Sequence, residues 1–395
     1  MVISSYRGFG VGVLILVAAI CSGCKPSAGN IHEVSPDRLP KNAQPSQTSQ
    51  LQEEAKNLQT THLFRVSQNG KMGYIDRTGR IIISAQFDAA GDFSEGFAAV
   101  AMKIGERSVK EEVQPIVDLQ WGFIDETGQI VISLRFVRVG RFSEGLAWVE
   151  IGDKDGRADY GIDKHGYVDK AGNIVIPPKL DFIFDPHGID DGRADFKEGL
   201  AVVTIGRQSG YIDKAGRIAI PPQFQNASSF SEGVAAVQIG DDYGYVDRAG
   251  KVVVSPRFTW AGRFSEGLAV VGIEGGYGYI DNNGEVIIRG PFTLASNFSE
   301  GLGMVHRDGR INYIDKTGNV VITTQGKTGG AFREGLAPGW FGGHYGYIDK
   351  TGGLAIEPRY DRTESFSGGI ARVYTGLNQW GYIDKSGEYI WKPTS

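Results

Sequence analysis

The sequence predicts an all-β protein, a tandem array of about nine three-stranded repeats arranged as an open β-solenoid, with a closed β-propeller as the alternative. Three observations carry this expectation. A motif of the form G-Y-I-D-x-x-G occurs nine times, beginning at Gly73, Gly122, Gly166, Gly210, Gly244, Gly278, Asn312, Gly346 and Gly381. A second motif, F-S-E-G-L-A, occurs eight times between Phe93 and Phe366, with an unbroken spacing of 34 residues from Phe196 onward. Glycine supplies 57 of 395 residues, about twice its usual share, which suits short strands joined by tight turns.

Ahead of the array, residues 1–23 read as an export signal. Arg7 gives a positive start, and the apolar run Gly8–Ile20 is too short to span a bilayer as a mature helix. The run ends in CSGC, where Ser22 and Gly23 directly before Cys24 resemble a bacterial lipobox. That resemblance implies cleavage before Cys24 and its lipidation. Cys21 is the poorer acceptor, since Ile20 fills the place where a small residue is needed, and Cys21 itself departs from the aliphatic residue usual in that motif. Ordinary secretion with signal removal is the alternative. Residues 24–61 are rich in Pro, Ser, Gln and Asn and are expected to form a flexible tether, whose reach would be about 35 Å. With Cys21 removed and Cys24 lipidated, no cysteine is left for a disulfide, a metal or a nucleophile.

From residue 62 to 395 each copy reads as three strands. In FSEGVAAVQIGDDYGYVDRAGKVVVSPRF the runs VAAVQI, YGYVD and KVVV are short, β-branched or aromatic, and bounded by turn residues. The D-x-x-G link has Asp first and Gly fourth, as a type I turn with a glycine exit prefers. Period-two alternation puts Tyr74, Phe123, Tyr167, Tyr211, Tyr245, Tyr279, Tyr313, Tyr347 and Tyr382 on one face, where they would form an aromatic ladder. The phenylalanine before SEG would form a second ladder, and the motif glycine leaves room for another backbone to come close.

These residues resemble the bacterial WG-repeat family, named for a Trp-Gly pair found here at Trp121-Gly122 and Trp380-Gly381. The resemblance covers about Phe64 to Trp391, with the tryptophan replaced in other copies and Asn312 standing for a motif glycine. It implies a β-rich, often exported repeat protein with no established general activity. An open array accepts nine copies without difficulty, whereas propellers usually have four to eight blades of four strands, so the open form is the first expectation.

The recurring side chains read as structural. Nine turn aspartates each suit a bond to their own turn, and the SEG glutamates at Glu95, Glu144, Glu198, Glu232, Glu266, Glu300 and Glu334 are too equivalent to be catalytic acids. They read as carboxylates that accept loop N–H groups. The six histidines share no repeat position, no H-E-x-x-H occurs, and the glycine-rich Gly275–Gly284 lacks the Lys-Ser/Thr of a phosphate loop. No cofactor or metal is expected. A net charge of −5 and the lack of a Lys/Arg run argue against nucleic acid as a partner.

Departures from the period are the better guide to function, since insertions in a repeat map to loops. Insertions fall at about 101–120, 150–165 and 180–196, and the pentapeptide DGRAD occurs in two of them. Asp155, Asp159, Asp191 and Asp195 lie there, with Asp153, Asp181, Asp185, His187 and Asp190 nearby. They read either as solvated turn-forming loops or as an acidic patch for a cation or a basic partner. A second candidate surface is the row Trp121, Tyr243, Tyr277, Tyr345 and Trp380, which would either stack on sugars or complete the core between repeats. The expected function is that of a lipid-anchored extracytoplasmic binding or scaffold protein, on the outer membrane if the cell is Gram-negative, or otherwise secreted or periplasmic. Its partner would be a protein or an envelope polymer. A carbohydrate- or peptidoglycan-binding module is the alternative, and an enzyme is the least expected because no nucleophile–base pair can be named.

Overall fold

The computed structural model describes residues 62–107, 116–152, 164–180, 192, 194–326, 328–376 and 379–392. Among these residues every regular element is a strand, and the strands form nine small sheets. In chain order the blades span 64–87, 89–136, 138–180, 200–224, 226–258, 260–292, 294–323, 328–360 and 362–391. All of them belong to one compact unit, Asn57–Ser395.

Blade 5 shows the plan. A two-residue strand, Asn226–Ala227, pairs with Val234–Ile239, which pairs with Asp242–Asp247, which pairs with Val252–Phe258, all antiparallel. The last three are the strands read from the sequence. The short strand was not expected; it precedes F-S-E-G in seven of the nine sheets and is absent among the described residues of blades 1 and 4. Its two residues carry too little periodicity to be legible.

Local chemistry sets each bend. In the D-x-x-G turn of blade 5 the Gly250 N–H donates to the Asp247 carbonyl at 2.9 Å, while Asp247 Oδ1 accepts from Ala249 N and Lys251 N, each at 2.9 Å. Gly250 exits the turn at φ 80°, a conformation that side chains resist. The same Asp contacts recur in all nine blades, from Asp76 to Asp384. The motif glycine has a different task. A Cβ on Gly244 would lie 2.4 Å from the Val254 carbonyl, where the fourth strand bulges over the third.

The core lies between blades. Each Tyr of the motif packs edge-on against the Phe before SEG in the next blade: Tyr245 meets Phe264 with ring centroids 5.1 Å apart, and Tyr279 meets Phe298 at 5.0 Å. The two ladders expected from the sequence are thus the two halves of one series of pairs. The tyrosine hydroxyl also donates to a carbonyl of that next blade, as Tyr245 does to Gly262 at 2.8 Å. Burial pushes the Tyr245 pKa well above its ordinary value, so the hydroxyl keeps its proton and remains a donor. In blade 2 the position is Phe123, which keeps the ring contact, with Phe142 at 4.8 Å, but has no hydroxyl to give.

The series does not end at blade 9. Tyr382 packs against Phe64 of blade 1 at 5.6 Å, and its hydroxyl donates to the Arg65 carbonyl at 2.9 Å. Val66 and Ile75 of blade 1 share a buried cluster with Ile370 and Tyr382 of blade 9. The array is therefore a closed nine-bladed propeller, the second of the two architectures left open by the sequence. Phe64 decides it: blade 1 has no F-S-E-G of its own, and the phenylalanine of its first strand fills the vacant socket. Arg372 reinforces the seam, donating to the Tyr382 hydroxyl at 2.8 Å and pairing with Asp92 of blade 2 at 3.5 Å. Burial pushes the Tyr382 pKa up to about 12, against the opposing pull of Arg372.

Tyr245→Phe is expected to leave the Gly262 carbonyl without its donor and to cost about 1–2 kcal/mol. Tyr245→Ala, which also empties the ring site, is expected to cost about 3–5 kcal/mol. Urea unfolding of the two variants checks the difference, and Phe123→Tyr should be the one tyrosine exchange that does not destabilise.

Candidate binding rim

Strand register divides the ring into two rims. In blade 5 Val234 pairs with Asp247 at one end and Ile239 with Asp242 at the other. The S-E-G and D-x-x-G turns therefore share one rim, and the hairpins between second and third strands lie on the opposite one.

The turn rim is used by the fold itself. Every SEG glutamate has positive φ, between 52° and 56°, which costs an ordinary side chain about 1–2 kcal/mol. The compensation comes from the neighbour. Glu300 Oε2 accepts from the Gly335 N–H of the next blade at 3.1 Å and lies 3.1 Å from Lys350 Nζ. Six other clasps of this kind join blades 2 to 9, from Glu95–Gly145 to Glu334–Gly369. Burial opposes ionisation of Glu300, but the Lys350 ammonium and the Gly335 N–H outweigh it and hold its carboxyl below the usual range. The glutamates are structural, as the sequence suggested, but the N–H groups they accept belong to the adjacent blade. Blade 9 carries Gly368 in this slot. A Cβ there would meet Phe64 and His62 at 3.0 and 3.3 Å, so the seam leaves no room for a glutamate.

The hairpin rim is where the blades differ. The second and third strands of blade 2, Phe97–Arg107 and Ile116–Asp125, have 11 and 10 residues against six and six in blade 5. In blade 3 the second strand ends at Ile151 and the third resumes at Lys164, and the fourth ends at Leu180 on the same rim. All three insertions thus depart from one side of the ring. Cys24, Asp155, Asp159 and Asp191 lie outside the described residues. Asp195 is described and is not on the surface: its side chain is buried and accepts from Arg141 Nε at 2.6 Å, so it joins blade 4 to blade 3 and does not contribute to an exposed acidic patch.

Trp121, Tyr243, Tyr277, Tyr345 and Trp380 all sit on the hairpin rim, half-buried. The first four stand opposite an aromatic of their own fourth strand: Phe136, Phe258, Phe292 and Tyr360. Trp380 lies beneath the Arg372 guanidinium, 4.9 Å from its ring. The row therefore serves as the margin of the inter-blade core while keeping part of each ring in water. Two features were missed from the sequence. Trp260, in the short strand of blade 6, is 43% exposed and stands edge-on to Tyr277 at 6.0 Å; a tryptophan in a slot held elsewhere by Ala89, Asn226 or Leu294 is the signal that would have found it. In blade 3, fully buried Glu150 accepts from Arg138 Nε at 2.6 Å and lies 3.3 Å from His165 Nε2. Its sequence, AWVEI, reads as any amphipathic strand. No group of three or more His, Cys, Asp or Glu side chains is placed to hold a metal among the described residues.

A family model described as WG containing repeat matches residues 72–103, 121–154, 166–207, 210–241, 243–277, 277–310 and 345–376, more than half of the chain. The chain belongs to this family. Each match runs from the motif strand of one blade into the second strand of the next, so the WG repeat is offset from the sheet by the inter-blade contact it encodes. A search of curated proteins finds no match. Among solved structures, a crystal structure of a eukaryotic initiation factor aligns over 85% of this chain and 96% of its own at 12% identity, with a TM-score of 0.55, a likeness of fold alone. BamB from Moraxella catarrhalis aligns over 73% of this chain and 87% of its own at 12% identity; its TM-score of 0.39 is too low to bear on the architecture.

The clasp predicts an acid limb to stability. A carboxyl with a lowered folded pKa stabilises above its ordinary range and loses that contribution as pH falls through the folded value. Urea midpoints measured from pH 6 to pH 3 should fall, and Glu300→Gln should fall less steeply over that interval.

Proposed function

We propose that this WG-repeat propeller is a lipid-anchored extracytoplasmic binding or scaffold protein that engages a protein or envelope polymer through its hairpin rim. The observation that carries this reading is the asymmetry of the two rims. On the turn rim the recurring carboxylates are spent on turns and clasps. The hairpin rim collects the insertions, the half-buried aromatics and the exposed Trp260. Ring closure fixes the strand ends from which that rim is built, and preorganised surfaces lose little entropy on binding.

Anchoring rests on the Ser22-Gly23-Cys24 sequence. Lipid on Cys24 and a tether up to residue 61 would hold the ring clear of headgroups. A glycan is the second reading, favoured by Trp260 and Tyr277, whose edge-to-face pair offers an exposed indole of the kind sugars stack on.

Cys24→Ala is expected to shift the protein from the membrane fraction to the soluble fraction of cells and to abolish labelling by a fatty-acid analogue; unchanged labelling would refute the anchor. Trp260→Ala should weaken retention on purified peptidoglycan or envelope polysaccharide at least tenfold if the glycan reading holds. Retention that is saturable in the wild type and unchanged in the variant would rule out this pair as the binding surface.

A further inference from the structure

We propose that a cleft on blade 7 is a binding site for a small oxyanion, a carboxylate or phosphate group, held by Arg307 and Arg310. Blade 7 breaks the repeat in two linked ways. Asn312 replaces the motif glycine, and the fourth strand stops at Val320–Thr323, four residues in place of the seven of blade 5. The cause is steric. In blades 1 to 6 and 8 the fourth strand passes so close to the glycine that a Cβ would meet its backbone at 2.4–2.8 Å, as at Gly244 and Gly346. Asn312 is accommodated because blade 7 lacks the bulge that crosses the glycine elsewhere: Asn312 pairs in register with Thr323, and Tyr313 with Ile322. Its Oδ1 accepts from Thr323 Oγ1 at 2.9 Å, and Nδ2 donates to the Arg310 carbonyl at 3.3 Å. The Thr324 N–H then donates to the Ile311 carbonyl at 3.0 Å, and the Ile311 N–H to the Gly326 carbonyl at 3.4 Å.

Beside Asn312 lies an open surface cleft of about 420 Å³ lined by Arg307, Asp308, Arg310, Asn312, Val320 and Thr323, of which only Asn312 is buried. Arg307 and Arg310 stand directly opposite each other across the hairpin. Two like charges in that register destabilise a sheet, and the chain as a whole is acidic, with a net charge of −5. Asp308 offsets only part of the repulsion: it is 3.2 Å from Arg307 Nε, and both side chains are well exposed, where an ion pair contributes little. The Arg310 guanidinium has no partner among the described residues. A guanidinium presents a fork of donors that matches the two oxygens of a carboxylate or phosphate. Asn312 Nδ2 has one hydrogen directed to Arg310 and a second available to a ligand oxygen. This assignment is independent of the anchoring and of the aromatic rim.

Calorimetric titration of the full chain tests it with three probes: inorganic phosphate, galacturonate and neutral galactose. Saturable binding of phosphate or galacturonate, with none of galactose, is expected. Binding of one anion alone tells a phosphate-bearing ligand from an acidic sugar. Arg310→Gln should weaken binding at least tenfold, and Asp308→Asn, which removes the internal competitor, should tighten it. The exposure of both residues keeps the fold intact, which circular dichroism checks. Failure of both anions to bind the wild type, or affinities unchanged in both variants, would overturn the proposal.

Discussion

The ring depends on one contact: the motif aromatic of each blade set against the phenylalanine of the next, a tyrosine in every blade but the second, with its hydroxyl on a carbonyl of that neighbour. A single blade is three or four short strands and cannot bury both faces of so small a sheet. Joining blades by large aromatic rings places the apolar area where two sheets meet, and the hydroxyl satisfies a backbone carbonyl that would otherwise be buried without a donor. Each such pair adds about 0.5–1.5 kcal/mol beyond its buried area. Nine in a closed ring convert nine marginal sheets into one cooperative body.

Other regularities are subordinate to that contact. The SEG glutamate accepts a left-handed backbone because its carboxylate reaches the next turn, and at the seam, where Phe64 and His62 crowd the slot, Gly368 takes its place. The turn glycine also serves the interface: a Cβ on Gly352 would lie 2.8 Å from Ile322 of the preceding blade. Thr351 bonds Asp349, and Lys350 reaches Glu300 across the interface. The sequence YGYIDKTGG is therefore an inter-blade connector as much as a strand and a turn.

What the sequence disclosed follows from these physics. Strands, turns and the aromatic face were legible because periodicity and turn chemistry act locally. Closure was not, because it rests on Phe64 filling a socket more than 300 residues away in the chain, opposite Tyr382, and no local pattern records such a meeting. The partner of the SEG carboxylate was hidden for the same reason. Of the proposed surface residues, Trp121, Tyr243, Tyr277, Tyr345 and Trp380 are half-buried, between the core and surface readings the sequence left open, while Asp195 faces inward, since an acidic residue in a loop-like string gave no sign of Arg141 beside it. Trp260 and the cleft at Asn312 were readable only as departures from the repeat, which is where a regular array has room for function.

The seam between blades 9 and 1 is an interface of the same kind as the other eight. A double-mutant cycle tests it directly, comparing Phe64→Leu with Tyr382→Leu at the seam and Phe264→Leu with Tyr245→Leu inside the ring, by equilibrium unfolding. A closed ring predicts coupling of about 0.5–1.5 kcal/mol at both pairs. Coupling at Tyr245–Phe264 with none at Tyr382–Phe64 would contradict closure and return the molecule to an open array.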